Sequence, residues 1–146
     1  MYNQSFWETD KHTRMLMWRD WRNSLKELPN ESLYQTIAEW WRMVPMSSGK
    51  LDVWNDKNWP TPWELITFTS FCNPGKGLGI YYTLALLGIE SELILAQKDA
   101  ETTLLVRLEE EKLLNYYEGD VINVSDSSYE TLKIFAPADM YRLVKV

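Results

Sequence analysis

The spacing of apolar residues changes once along this chain, and that change sets its fold class. Before Leu87 the periodic stretches step by three and four; after Gly88 they become short β-rich runs broken by polar turns. Trp18, Trp21, Leu25 and Leu28 form the stripe of a helix predicted from Asp10 to about Leu28, with Thr9 or Asp10 as its cap and Pro29 as its stop. Residues 1–9 read as irregular. Leu33, Ile37, Trp40, Trp41 and Val44 form the stripe of a second helix, opened by Asn30-Glu31-Ser32 and closed by Pro45. So short a link predicts an antiparallel helical hairpin over residues 1–45.

Residues 46–71 read as a loop rich in tryptophan and proline, followed by a short helix. Ser47-Ser48-Gly49 leads into Trp54-Asn55-Asp56-Lys57-Asn58-Trp59-Pro60-Thr61-Pro62-Trp63. Tryptophan in a loop either plugs down onto the core or offers an adhesive surface. Trp54, Trp59 and Trp63 are therefore the candidate contact residues, and the tryptophans of the two helices are expected to pack inside. Thr61-Pro62-Trp63-Glu64 has the cap, first-position proline and early acid of a helix start, running to about Thr67.

Residues 72–146 read as a cysteine-bearing helix and then a sheet. The predicted strands are Glu90–Gln97, Thr102–Leu108, Lys112–Tyr117, Val121–Val124, Leu132–Phe135 and Met140–Val146, and their short turns favour an antiparallel meander. Helices first and sheet second is the α+β class, in a single domain over 1–146.

All eight tryptophans fall within the first 63 residues, and the net charge of −6 belongs entirely to the remainder. An acidic chain without a lysine or arginine cluster argues against nucleic acid as a partner. No apolar run is long enough for a membrane span, and Met1-Tyr2-Asn3-Gln4-Ser5 has no signal-peptide character, so a cytoplasmic site is expected. A lone cysteine allows no internal disulfide. No metal is expected, because His, Cys, Asp and Glu nowhere take ligand spacing. No cofactor is expected either. Gly75-Lys76-Gly77-Leu78-Gly79 fits neither the P-loop nor the dinucleotide pattern, and the glycines read as points of close helix packing.

Cys72 is the chemically suggestive residue. It opens the helix of Phe71-Cys72-Asn73-Pro74-Gly75-Lys76, where amide groups favour a thiolate, and Lys76 sits one turn further on. Yet the only histidine, His12, lies far upstream in a charged helix. A cysteine opening a helix, a Leu87-Gly88-Ile89 helix end and consecutive antiparallel strands resemble the transglutaminase-like branch of the papain-like cysteine fold. The tryptophan-rich segment before Cys72 is similar to the family too, and the match spans roughly residues 59–117. The resemblance implies a nucleophile at Cys72, a histidine near Thr102, Thr103 or Leu104, and an orienting residue near Asn115. None of the three central positions is histidine.

A cysteine hydrolase needs a base to hold the thiolate and an acid to protonate the leaving group. The sequence thus points to a degenerate core that works without catalysis. The expected role is a protein–protein interaction or structural subunit that binds other protein subunits in an oligomeric assembly. Its style resembles small phage-encoded virion or tail-assembly components. One alternative is a cysteine hydrolase or acyltransferase using Cys72 and Asn115. Another is a virus-encoded inhibitor of a host factor.

Overall fold

The computed structural model describes residues 4–46, 51–68 and 70–144. Its helices are α1 (Gln4–Glu8), α2 (Lys11–Leu25), α3 (Asn30–Arg42), α4 (Pro62–Leu65), α5 (Asn73–Leu86) and α6 (Pro137–Val144). The strands β1 (Ser91–Lys98), β2 (Glu101–Leu108), β3 (Lys112–Leu114), β4 (Val121–Asn123) and β5 (Glu130–Ile134) make one antiparallel sheet in the order β4-β3-β2-β1-β5. The fold is α+β, helices followed by sheet. Ser47-Ser48-Gly49 lies outside the described residues.

Helix α5 is the centre of the molecule. Every residue from Gly75 to Thr83 is buried, and a helix apolar on all sides must be enclosed on all sides. Sheet strands β1 and β2 cover one flank, α3 another, and α6 also packs against it. Two glycines permit this crowding. A Cβ on Gly77 would stand 2.4 Å from the Leu104 carbonyl oxygen, and one on Gly79 would stand 2.3 Å from the Trp41 ring. Gly75 differs, since a Cβ there would make only ordinary contacts.

The strands alternate between two cores, as the two-residue period requires. Leu93, Leu95, Leu104 and Val106 join the main core under α5, while Ile94, Ala96, Leu105, Leu113 and Tyr116 form a smaller cluster on the opposite face. The main core is dense in aromatic rings. Trp21 stacks on Trp40 with centroids 4.6 Å apart, which joins α2 to α3, and Trp41 donates from Nε1 to Thr83 Oγ1 at 3.0 Å, which joins α3 to α5.

Four local expectations are corrected. Residues 4–8 form α1, because Phe6 is fully buried against Trp7 and Trp40 and draws the segment onto the core. The last segment is a helix and not a strand: Met140 and Leu143, three apart, are the buried pair. The sheet is not a simple meander, because β5 returns to lie beside β1. The third strand also stops at Leu114, as Asn115 takes a left-handed φ of +70° that leaves the ladder.

Candidate functional site

Cys72 occupies the N-cap of α5, with φ −80° and ψ 169° and Pro74 in the first turn behind it. The approach to it is fixed by Phe71, which donates its amide to the Pro45 carbonyl at 2.8 Å and bridges to Met46. The cysteine is 5% exposed, and among the described residues its sulfur makes no hydrogen bond. The helix-start position foreseen for it is correct.

Asn73, the next residue, is the hub of the site. Its Oδ1 accepts a short hydrogen bond from Thr103 Oγ1 on β2, and its Nδ2 donates to Glu118 Oε2 at 2.8 Å. Asn115 comes in from the end of β3. Its Nδ2 donates to the Leu104 carbonyl at 2.9 Å and lies 3.2 Å from the Asn73 carbonyl. Asparagine tolerates the left-handed backbone that aims the amide there. Thr103, the middle of the three positions where the resemblance implies a histidine, and Asn115, from the end of β3, thus converge on Asn73, the residue after Cys72. The middle position holds a hydroxyl. A threonine hydroxyl has no proton affinity suited to general-base work near neutral pH, and its proton here is committed to an amide oxygen.

Lys76 does not serve the thiol. It is 2% exposed, and its Nζ donates to Glu118 Oε1 at 2.9 Å and to the Arg42 carbonyl at 3.2 Å. Burial alone would raise the Glu118 pKa, but hydrogen bonds from Asn73 and Lys76, with the charges of Lys76 and Arg42, outweigh it and hold the carboxyl below its ordinary value. Glu118 reaches this place on a tight turn in which Gly119 has φ +88°, and Gln35 on α3 grips the Gly119 carbonyl at 2.8 Å. His12 lies exposed in the first turn of α2, beside Asp10, and no hydrogen bond links it to Cys72.

A cavity of about 310 Å³ opens beside the network, walled in part by Asn73, Lys98, Thr103, Asn115 and Tyr116. Cys72 is not part of that wall. The cation at the rim is also occupied: Lys98 donates to the Tyr116 carbonyl and lies 4.4 Å and 4.8 Å from the Tyr116 and Tyr117 ring centroids. Among the described residues no three of His, Cys, Asp and Glu gather as a metal-holding group, and no helix is long and apolar enough to cross a membrane.

The three loop tryptophans separate. Trp59 is 4% exposed, packs on Phe135 at 4.8 Å and donates to the Asp52 carbonyl at 2.7 Å, so it is a core residue that no partner can reach. Trp63 is half-buried against Trp18. Trp54 alone of the three stands out, 65% exposed. Asn73 and Glu118 were missed from the sequence. Asn73 had the signal of lying next to Cys72. Glu118 had none, since its partner Lys76 is 42 residues away and only the fold brings them together.

No family model matches the sequence, and no curated protein matches it. Solved structures do resemble the fold. Calcium-bound LapG of Legionella pneumophila superposes with a TM-score of 0.71 at 16% identity, covering 89% of this chain and 78% of that one. A second LapG structure gives 0.71 at 16% identity, over 88% and 76%. An EGTA-treated LapG gives 0.70 at 16% identity, over 88% and 75%. The architecture is the transglutaminase-like α+β fold, and identity this low speaks for the fold alone.

Proposed function

We propose that this protein is a catalytically silent transglutaminase-like domain that acts through protein–protein contact as a subunit of a larger assembly. The observation that carries the reading is Thr103. The three positions where the resemblance implies a histidine hold Thr102, Thr103 and Leu104; the Thr103 hydroxyl is tied to Asn73, and the only histidine, His12, makes no hydrogen bond to the Cys72 sulfur. The neighbouring groups are likewise satisfied by one another: Asn115 by Leu104 and Asn73, Lys76 by Glu118 and Arg42. A network closed in this way braces the junction of α5 with the sheet and leaves no group free to carry a proton.

Trp54 is the contact residue this reading favours, being a large ring exposed on a loop. In a pull-down from the native source, Cys72→Ala is expected to retain the same partner as the unaltered chain. Trp54→Ala should lose it, with an unchanged melting curve. Loss with Cys72→Ala, or retention with Trp54→Ala, contradicts the proposal. A place in a phage particle is its narrower form, supported only by the small, acidic, tryptophan-rich character of the chain; co-purification with assembled particles tests it.

A further inference from the structure

We infer that Arg22, on α2, is a docking point for the carboxylate of an acidic side chain on a protein partner. Arg22 is 7% exposed, yet among the described residues its guanidinium has neither a hydrogen-bond acceptor nor an acid partner. Its Nε is fully enclosed without an acceptor, and so is the Nε1 of Trp18, whose ring centroid lies 4.6 Å from the Arg22 guanidinium carbon. The Trp63 ring stands 5.7 Å away on the same group. Buried charges in native proteins are as a rule paired, and an orphaned one calls for an explanation.

Arg14, two turns earlier on the same helix, shows what a purely structural arginine looks like here. Its terminal nitrogens donate to four carbonyls, those of Ile66, Phe68, Trp7 and Thr9, at 3.2, 3.1, 2.7 and 3.2 Å. Arg22 has no such set. The sealed Nε does not set the two apart, since Arg14 Nε is also enclosed without an acceptor; the difference lies in the terminal nitrogens, which in Arg22 are not fully enclosed and have no acceptor among the described residues. A guanidinium laid against aromatic rings keeps its edge free, and that edge matches the two oxygens of a carboxylate.

Charge supports the same occupant. Helix α2 carries Lys11, Arg14, Arg19 and Arg22 against the single acid Asp20, in a chain whose net charge is −6. Arg19, one turn before Arg22, is already engaged by Asp20 at 3.2 Å. Arg22 is therefore the one arginine of α2 with neither an acid nor a carbonyl partner among the described residues, and its single charge fits a monoanionic carboxylate better than a doubly charged phosphate. The site rests on the interaction reading for its partner being a protein, but the groups around Arg22 are Trp18 and Trp63, and neither Cys72 nor Trp54 is part of it.

The test is a titration of the full chain with hexaglutamate at low ionic strength, following the arginine Nε–Hε resonances by NMR, with a parallel titration by inorganic phosphate. A saturable shift of the Arg22 resonance with hexaglutamate is expected. Arg22→Met should weaken binding about tenfold or more without lowering Tm, because an unpaired buried charge is removed. Arg22→Lys, which keeps the charge but loses the fork, should bind more weakly than arginine and covers the case in which the methionine variant does not fold. Trp54→Ala should bind hexaglutamate normally, which separates this site from the contact proposed above. No shift, a response to phosphate alone, or equal hexaglutamate affinity in the Arg22 variants overturns the inference.

Discussion

Glu118→Ala is expected to destabilise the fold by about 3–5 kcal/mol, the typical cost of stripping one partner from a buried ion pair. Lys76 is 2% exposed and would keep its charge with only the Arg42 carbonyl to receive it. Asn73 would lose an acceptor at the same time, loosening the hub beside Cys72. The double variant Glu118→Ala with Lys76→Met should recover much of the loss, since no unpaired charge is left behind. Chemical denaturation of the two variants measures the difference, and equal losses in both would contradict the pairing. The effect also carries a pH signature. A carboxyl held below its ordinary value of 4.5 contributes stability above that pH and loses it as the pH falls through the lowered value. The gap between the unaltered chain and Glu118→Gln should therefore narrow below about pH 4.5, where both sides become neutral.

Gly77→Ala should be nearly as damaging, by about 3 kcal/mol, at the upper end of ordinary overpacking. The added carbon would lie 2.4 Å from a backbone oxygen of β2 and 2.9 Å from the Asn115 side-chain nitrogen, which the Leu104 and Asn73 carbonyls hold in place. Helix α5 must move off the sheet, and the Leu104–Asn115 hydrogen bond that closes the site goes with it. Gly75→Ala is the natural control. Its new carbon meets nothing nearer than 3.5 Å, so the helix preference of alanine should leave stability unchanged or higher by up to about 1 kcal/mol. Thermal melts of the two variants should move in different directions or by clearly different amounts; matching losses would refute the close-approach reading of α5.

Much of this architecture was legible because local patterns agreed with the fold. The stripes of Trp18, Trp21 and Leu25, and of Leu33, Ile37, Trp40 and Trp41, lie on buried faces of α2 and α3. Thr61 and Glu64 form the capping box of α4, with Pro62 at its first position, the helix start that their order announced. Failures came where segments were short. In Met140–Val144 the three-residue and two-residue periods fit almost equally well, and Pro137 at the start decides for the helix. Phe6 and Trp7 are too few to display a period at all. The return of β5 to β1 depends on pairing between distant segments, which no local pattern encodes. For the site, chemistry was readable one residue at a time: a cysteine at a helix start, an asparagine at the end of the third strand along the chain, and no histidine between. The closure of the network by Asn73 and Glu118 was not, because it is made by tertiary contact. The Trp59 reading failed for a related reason, since composition marks a ring as adhesive without saying whether it adheres inward or outward.

The central claim is that the sulfur at the head of α5 is walled in and unassisted. The direct measurement is the rate at which iodoacetamide alkylates Cys72 in the native chain at pH 6 and pH 8, compared with the rate in denaturant. The account predicts that the folded protein is protected at both pH values and is labelled only as fast as it unfolds. Rapid alkylation of the folded chain at pH 6, lost on replacing a nearby side chain without unfolding, would show an assisted nucleophile and contradict it.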